Sequence, residues 1–288
     1  MADDQPVALA LGGGAAKGLA HVGVLCGLEE DGVEITALAG TSMGAVIGAL
    51  WAQGMRAREM EGLFRSIDWG RLGRILVTSV TGAAFRGMVR ETFGGQRIDD
   101  LPVPFAAVCG DLDTGDMVVL DSGEVATAVC ASSSIPGILP PTVVDGRRLI
   151  DGAVVEPVPV TAAKNLVPGR VLAVNVMRPP IRGERGGALV TIRPVGVELP
   201  SLFRRIEGWL RRQRDRGEDR EIGARVSRWE AVVQAFHIMQ YRLAASYPVD
   251  TPTIEPPTGR FGWFDFHRAD EIIDVGYESY RRWAGRPE

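Results

Sequence analysis

The chain has 288 residues, 45% of them hydrophobic and 24% charged, enough apolar material for a soluble globular protein to bury the core of one large domain or two small ones. Its net charge of -4 is too small to point to a class of partner, and no nucleic-acid partner is expected. Cys26, Cys109 and Cys130 are odd in number, widely spaced and without a CxxC pair, which argues against a disulfide framework or zinc site and for a reducing, cytoplasmic home.

The first residues, MADDQPVALALGGG, carry two aspartates where a secretory signal would be basic, and their apolar stretch ends in glycines, so they read as mature structure. VALALG (7–12) predicts a strand, followed by a helix near 17–31, a strand ITALAG (35–40) and a helix near 43–53. Such alternation through tight glycine turns predicts right-handed crossovers and a mainly parallel sheet. Residues 55–94 read as helical and linker-like. FAAVCGDL (105–112) and VLAVNVM (171–177) are continuous apolar runs of the kind a sheet covered on both faces requires. The expected fold class is therefore α/β, a three-layer α/β/α sandwich in a single domain spanning 1–288.

EVATAVCAS (124–132) predicts a short helix, and SSSIPGILPP after it an ordered loop that walls a pocket. RRLI is a strand ending at Asp151-Gly152, and VTAAKNL (160–166) a helix before the strand at 171. From Pro194 the character changes. Residues 202–247 predict two helices joined near RDRGEDRE, and 203–228 holds nine arginines against five acidic residues. The chain closes on an amphipathic helix with Asp270 and Glu271 in its first turn. No segment gives the roughly 20 consecutive apolar residues that cross a bilayer, so any membrane contact is expected to be peripheral.

Gly40-Thr41-Ser42-Met43-Gly44 is a G-x-S-x-G pentapeptide with a strand before it and a helix after it. In that context the turn is sharp, the flanking glycines make room for it, and the serine hydroxyl stands at the edge of the sheet above a helix N-terminus. The alternative is a small residue that merely permits close packing. Acyl transfer also needs donors for an oxyanion. Gly12-Gly13-Gly14-Ala15-Ala16-Lys17-Gly18 follows the first strand and opens the first helix, so its amides can face an anion. A nucleotide site begins the same way, but the G-x-G-x-x-G spacing from Gly12 meets Lys17 and that from Gly13 meets Ala15. The phosphate-loop pattern fails because Lys17 is followed by Gly18.

A base is the third requirement. The only histidines are His21, which could pack beneath the glycine loop, His237 amid apolar residues of a helix, and His267 near the C-terminus. Asp151, directly after a core strand, is better placed, and a carboxylate can act as base if partial burial raises its pKa. An ordinary Asp-Gly turn is the bland reading for Asp151, as for Asp111, Asp113 and Asp145.

GGGAAKG, GTSMG, ASSSIPGILPP, the triplet Asp151-Gly152-Ala153 and FHRADEIIDVGYE, in this order, resemble the signature of the patatin-like phospholipases, in particular bacterial proteins of the neuropathy-target-esterase group. The likeness runs from residue 7 to 178 and resumes at about 236. It implies a sandwich fold and a Ser-Asp dyad, with Ser42 as nucleophile, Asp151 as general base and the amides around Gly12, Gly13 and Gly14 as oxyanion hole. Lys17, Gly18, Gly40, Met43, Gly44 and Gly152 would support these motifs. Such enzymes hydrolyse acyl esters of phospholipids or lysophospholipids through an acyl-enzyme, with no metal or other cofactor. Lys17 stands at a position that is basic in the family, where it could hold the loop or attract a phosphate head group. Ala15 replaces a glycine of some members, and Ala153 a common glycine.

The helical insertion at about 183–232 has no counterpart in the resemblance. Leu202, Phe203, Ile206, Trp209 and Leu210 form an apolar stripe edged by Arg204, Arg205, Arg211 and Arg212. Packing on its own domain is the reading that this pattern favours. Contact with an anionic membrane at its inner face, a lid and a homo-oligomer contact are the others. For the whole chain, a catalytically silent scaffold that binds a membrane or a protein, and a nucleotide-binding protein, are the rival functions.

Overall fold

In a computed structural model of the chain, the structure describes residues 6–69, 82–178, 228–245 and 250–285. Residues 179–227, with the first of the two helices predicted over 202–247 and most of the insertion, lie outside the described residues; the second predicted helix is described from Arg228 to Ala244.

The strands are β1 (Val7–Leu11), β2 (Ile35–Thr41), β3 (Phe105–Asp111), β4 (Met117–Leu120), β5 (Thr142–Val144), β6 (Arg147–Asp151), β7 (Arg170–Val174) and β8 (Thr253–Ile254), all in one sheet. β1 is central and pairs in parallel with β2 and β7. β3 continues the parallel set beyond β2, and β8 beyond β7. β4, β5 and β6 run antiparallel to their neighbours. The sheet is thus mainly parallel, as the alternating pattern predicts, and β4, β5 and β8 add short strands that the pattern does not reveal.

The edges of β3 govern where the site forms. β4 lies along one edge, opposite Ala107–Gly110. The other edge is divided: β2 pairs with Phe105–Val108, and β6, coming from the opposite direction, pairs with Cys109–Asp111. A strand residue has two edges only, so β2 and β6 must meet tip to tip along β3.

Helices cover both faces: α1 (Ala20–Glu30), α2 (Met43–Ala52), α3 (Ala57–Ser66), α4 (Ala83–Phe93), α5 (Val125–Ser132), α6 (Val160–Leu166), α7 (Arg228–Ala244) and α8 (Ala269–Trp283). The alternation of side chains along each strand sorts the core into two layers. Leu9, Leu11, Leu38 and Phe105 pack on one side with residues of α1, α2, α3, α4, α5 and α8. Ala8, Ala10, Ala37, Ala39 and Ala173 face the other side, where small side chains meet α6 and Ala244 of α7. This is the three-layer α/β/α sandwich. Full burial of each large side chain such as Leu9 or Phe105 contributes about 1.5–3 kcal/mol. Among the described residues no helix is long and apolar enough to cross a membrane.

Candidate active site

Ser42 occupies the single residue between β2 and α2, with φ 54 and ψ -121. A side chain at positive φ costs about 1–3 kcal/mol, and the surroundings must hold it there. The flanking glycines permit the turn by their lack of a side chain. A Cβ on Gly40 would lie 2.4 Å from the Ala45 backbone, and one on Gly44 2.0 Å from the Leu11 carbonyl oxygen. The G-x-S-x-G spacing is therefore a steric requirement of this elbow.

The divided edge of β3 brings the carboxylate to the hydroxyl. Thr41 stands opposite Val108 and Asp151 opposite Cys109, so Ser42, one step past Thr41, arrives level with Asp151. Sequence order suggests only that Asp151 leaves a strand; the reason it meets Ser42 is that β6 runs against β2. Ser42 is 5% exposed and Asp151 1%. The Asp151 carboxylate accepts the Ala153 N–H at 2.9 Å, and the Ser42 hydroxyl lies close enough to favour its ionised form. Burial pushes the Asp151 carboxyl up to about 6, against the lowering effects of the Ser42 hydroxyl and the Ala153 N–H.

The glycine loop runs beside this pair: a methyl on Gly13 would sit 3.4 Å from Ser42 Cβ. Its amides differ from the sequence expectation. Gly12 N–H donates to the Val174 carbonyl at 3.0 Å and Gly13 N–H to the Pro157 carbonyl at 2.8 Å. Both are spent on fixing the loop to β7 and to the segment after Asp151, because buried amides take the nearest acceptor. Of the three glycines, Gly14 alone keeps an N–H with no intramolecular acceptor among the described residues, and Met43 N–H at the first position of α2 is in the same condition.

His21 packs beneath the loop, where its Nε2–H donates to the Gly12 carbonyl at 2.7 Å. Burial lowers its pKa to about 4, so the ring is neutral, and Nδ1 has no hydrogen-bond partner among the described residues. His237 stacks on Trp263 with ring centroids 3.6 Å apart, and His267 is exposed. Lys17 is buried, and its Nζ donates to the Arg178 carbonyl at 3.3 Å, tying the loop to the residues that follow β7. Burial lowers its pKa to about 8, with the charge of Asp265 acting the other way. Asp111 pairs with Arg147 at 2.7 Å and caps the turn at Asp113 and Thr114, Asp113 pairs with Arg148, and Asp145 turns the hairpin between β5 and β6. These three keep their bland reading. Ser132 and Ser134 lie in the segment read as a pocket wall, and both touch the backbone of the Ser42–Asp151 pair. Sequence spacing contains no signal for a contact such as that of Ser42 with Ser132, which spans 90 residues.

A family model described as Patatin-like phospholipase matches residues 9–164. The chain belongs to that family. Among its relatives, an uncharacterized NTE family protein of Mycobacterium tuberculosis is 31% identical over 321 positions, covering 94% of this chain and 89% of the relative. Human patatin-like phospholipase domain-containing protein 6 is 30% identical over 94% of this chain and 20% of its own length. Lysophospholipase NTE1 of Pyricularia oryzae is 29% identical over 95% of this chain and 18% of its own length. This patatin-like chain thus spans about a fifth of the human and fungal proteins. The crystal structure of VipD from Legionella pneumophila is similar over 98% of this chain and 66% of that one, at 13% identity and a TM-score of 0.48.

Proposed function

We propose that the protein is a serine esterase that hydrolyses acyl ester bonds of phospholipids or lysophospholipids through Ser42 and Asp151. The observation that carries the reading is the strained Ser42, set level with the buried carboxylate of Asp151 where β2 meets β6. Membership of the patatin-like phospholipase family supports the substrate class, as does the fungal relative's name of lysophospholipase.

In the acylation step Asp151 takes the hydroxyl proton while Ser42 Oγ attacks the ester carbonyl carbon. The oxyanion of the tetrahedral intermediate accepts from the N–H groups of Gly14 and Met43, the latter at the positive end of α2. Collapse breaks the bond to the alcohol, which leaves with the proton from Asp151 and the head group attached. Asp151 then deprotonates a water that attacks the acyl-enzyme, and return of that proton to Ser42 Oγ releases the fatty acid. Gly12 and Gly13 hold the loop in register with Ser42 through their bonds to Val174 and Pro157.

The test uses purified protein with a p-nitrophenyl ester and with lysophospholipid. Ser42→Ala is expected to lower kcat by at least about 10³-fold, and a fluorophosphonate probe to label Ser42 and no other residue. Undiminished turnover by Ser42→Ala, or labelling elsewhere, refutes the reading.

A further inference from the structure

Where β2 gives way to β6 along β3, the hydrogen-bond ladder is interrupted, and the buried backbone groups at the gap need other partners. Three of them are the N–H of Ser42, the N–H of Asp151 and the carbonyl of Val108. The end of α5 supplies a partner to each. Ser132 Oγ accepts from Ser42 N–H at 2.9 Å and donates to the Val108 carbonyl at 2.7 Å. The Ser134 carbonyl accepts from Asp151 N–H at 3.0 Å. Ser132 is wholly buried, so water cannot replace its hydroxyl. Ser134 Oγ, bonded to the Cys130 carbonyl at 2.8 Å and to Thr142 Oγ1 at 3.0 Å, pins the segment to β5.

We infer that Ser132 is a positioning residue for the dyad proposed above: its hydroxyl splices the amide of Ser42 onto β3 and so holds the reactive Oγ against Asp151. The argument rests on direction. A hydroxyl offers one proton and its lone pairs, and here the proton is committed to Val108, so the lone pairs face Ser42. Alanine fills the volume but leaves Ser42 N–H and the Val108 carbonyl unpaired in the interior. Ser42 then keeps its unfavourable φ with one restraint fewer, and relaxation toward an ordinary conformation swings Oγ off the carboxylate. A displacement of about 1 Å at a reacting atom is enough for roughly a 10²-fold loss of rate.

Ser132→Ala is expected to lower kcat by about 30- to 100-fold while KM changes by less than about threefold, with the rate of fluorophosphonate labelling falling in parallel. The ascending limb of its kcat/KM pH profile is expected to move upward, because the Ser42 hydroxyl that lowers the pKa of Asp151 moves away from it. A residue that merely packs would change the melting temperature and neither of these readouts. Ser132→Cys, close in volume but a weak hydrogen bonder, decides the matter if the alanine variant does not fold, with at least about a fivefold loss of kcat expected. A kcat and labelling rate within twofold of the parent, in whichever variant folds, overturns the inference. If Ser42→Ala itself retains turnover, the dyad is wrong; if that variant is inert and Ser132→Ala fully active, only the role of Ser132 fails.

Discussion

Asp151 shows most directly how the site trades stability for reactivity. Its carboxyl titrates near 3.8 in the unfolded chain and near 6 when buried. The folded state therefore holds the proton more tightly, and stability is lost as pH rises from about 4 to 6. Carrying the ionised group inside costs on the order of 3 kcal/mol at neutral pH. Asp151→Asn removes that ionisation. It is expected to melt above the parent at pH 7.5, with the difference shrinking by pH 4, while kcat falls by about 10²- to 10⁴-fold. For the parent, kcat/KM is expected to rise with pH about a midpoint near 6, since Asp151 must be unprotonated to act as the proposed base. His21 has the opposite sign: the unfolded chain takes up a proton near 6.5 and the folded one near 4. Stability is thus lost through His21 as pH falls across that interval, and His21→Gln is expected to flatten the acid side of a melting-temperature curve. The sequence points to Ser42 and Asp151 because elbow and triplet are local patterns. Ser132, and the amides of Gly12 and Gly13, are defined by partners far along the chain, and no local pattern encodes them.

At the scale of elements, two glycines separate steric need from conformational cost. Gly62 lies within α3 with open space around its would-be Cβ. Gly62→Ala is expected to stabilise by up to about 1 kcal/mol, because alanine loses less chain freedom on entering a helix. Gly44→Ala, whose methyl would strike the Leu11 carbonyl, is expected to cost about 3 kcal/mol. Denaturant midpoints of the two variants should move in opposite directions. Long elements are legible in the sequence for a related reason. β1, β2, β3 and β7 are covered on both faces and show as unbroken apolar runs, and α8 displays the periodicity of a helix with one wet face. β5 has three residues and β8 two, too few to establish a period. The Asp145-Gly146 turn, with positive φ at both residues, is a hairpin signal that would have placed β5 before β6. It is also what sends β6 back toward β2.

Across the whole molecule, segments some 250 residues apart in the chain are bound together around the glycine loop. α8 packs on α1, with buried Tyr280 against Gly27 and its hydroxyl on Asp31 at 2.8 Å. Nearer the site, Ala16 N–H donates to the Trp263 carbonyl at 3.1 Å, and Thr258 Oγ1 donates to the Val176 carbonyl at 2.7 Å. Most contacts of this kind bridge more than a hundred residues, so folding of the loop is non-local and slow relative to the helices around it. The bond between Ala16 and Trp263 carries a consequence for synthesis on the ribosome. The loop is translated almost 250 residues ahead of its anchor. A nascent chain stalled before Trp263 has left the exit tunnel is expected to carry Ser42 without reacting with fluorophosphonate, and emergence of the segment that holds Trp263 to switch labelling on. The proposed nucleophile would thus stay unreactive until a segment almost 250 residues downstream of the glycine loop is in place.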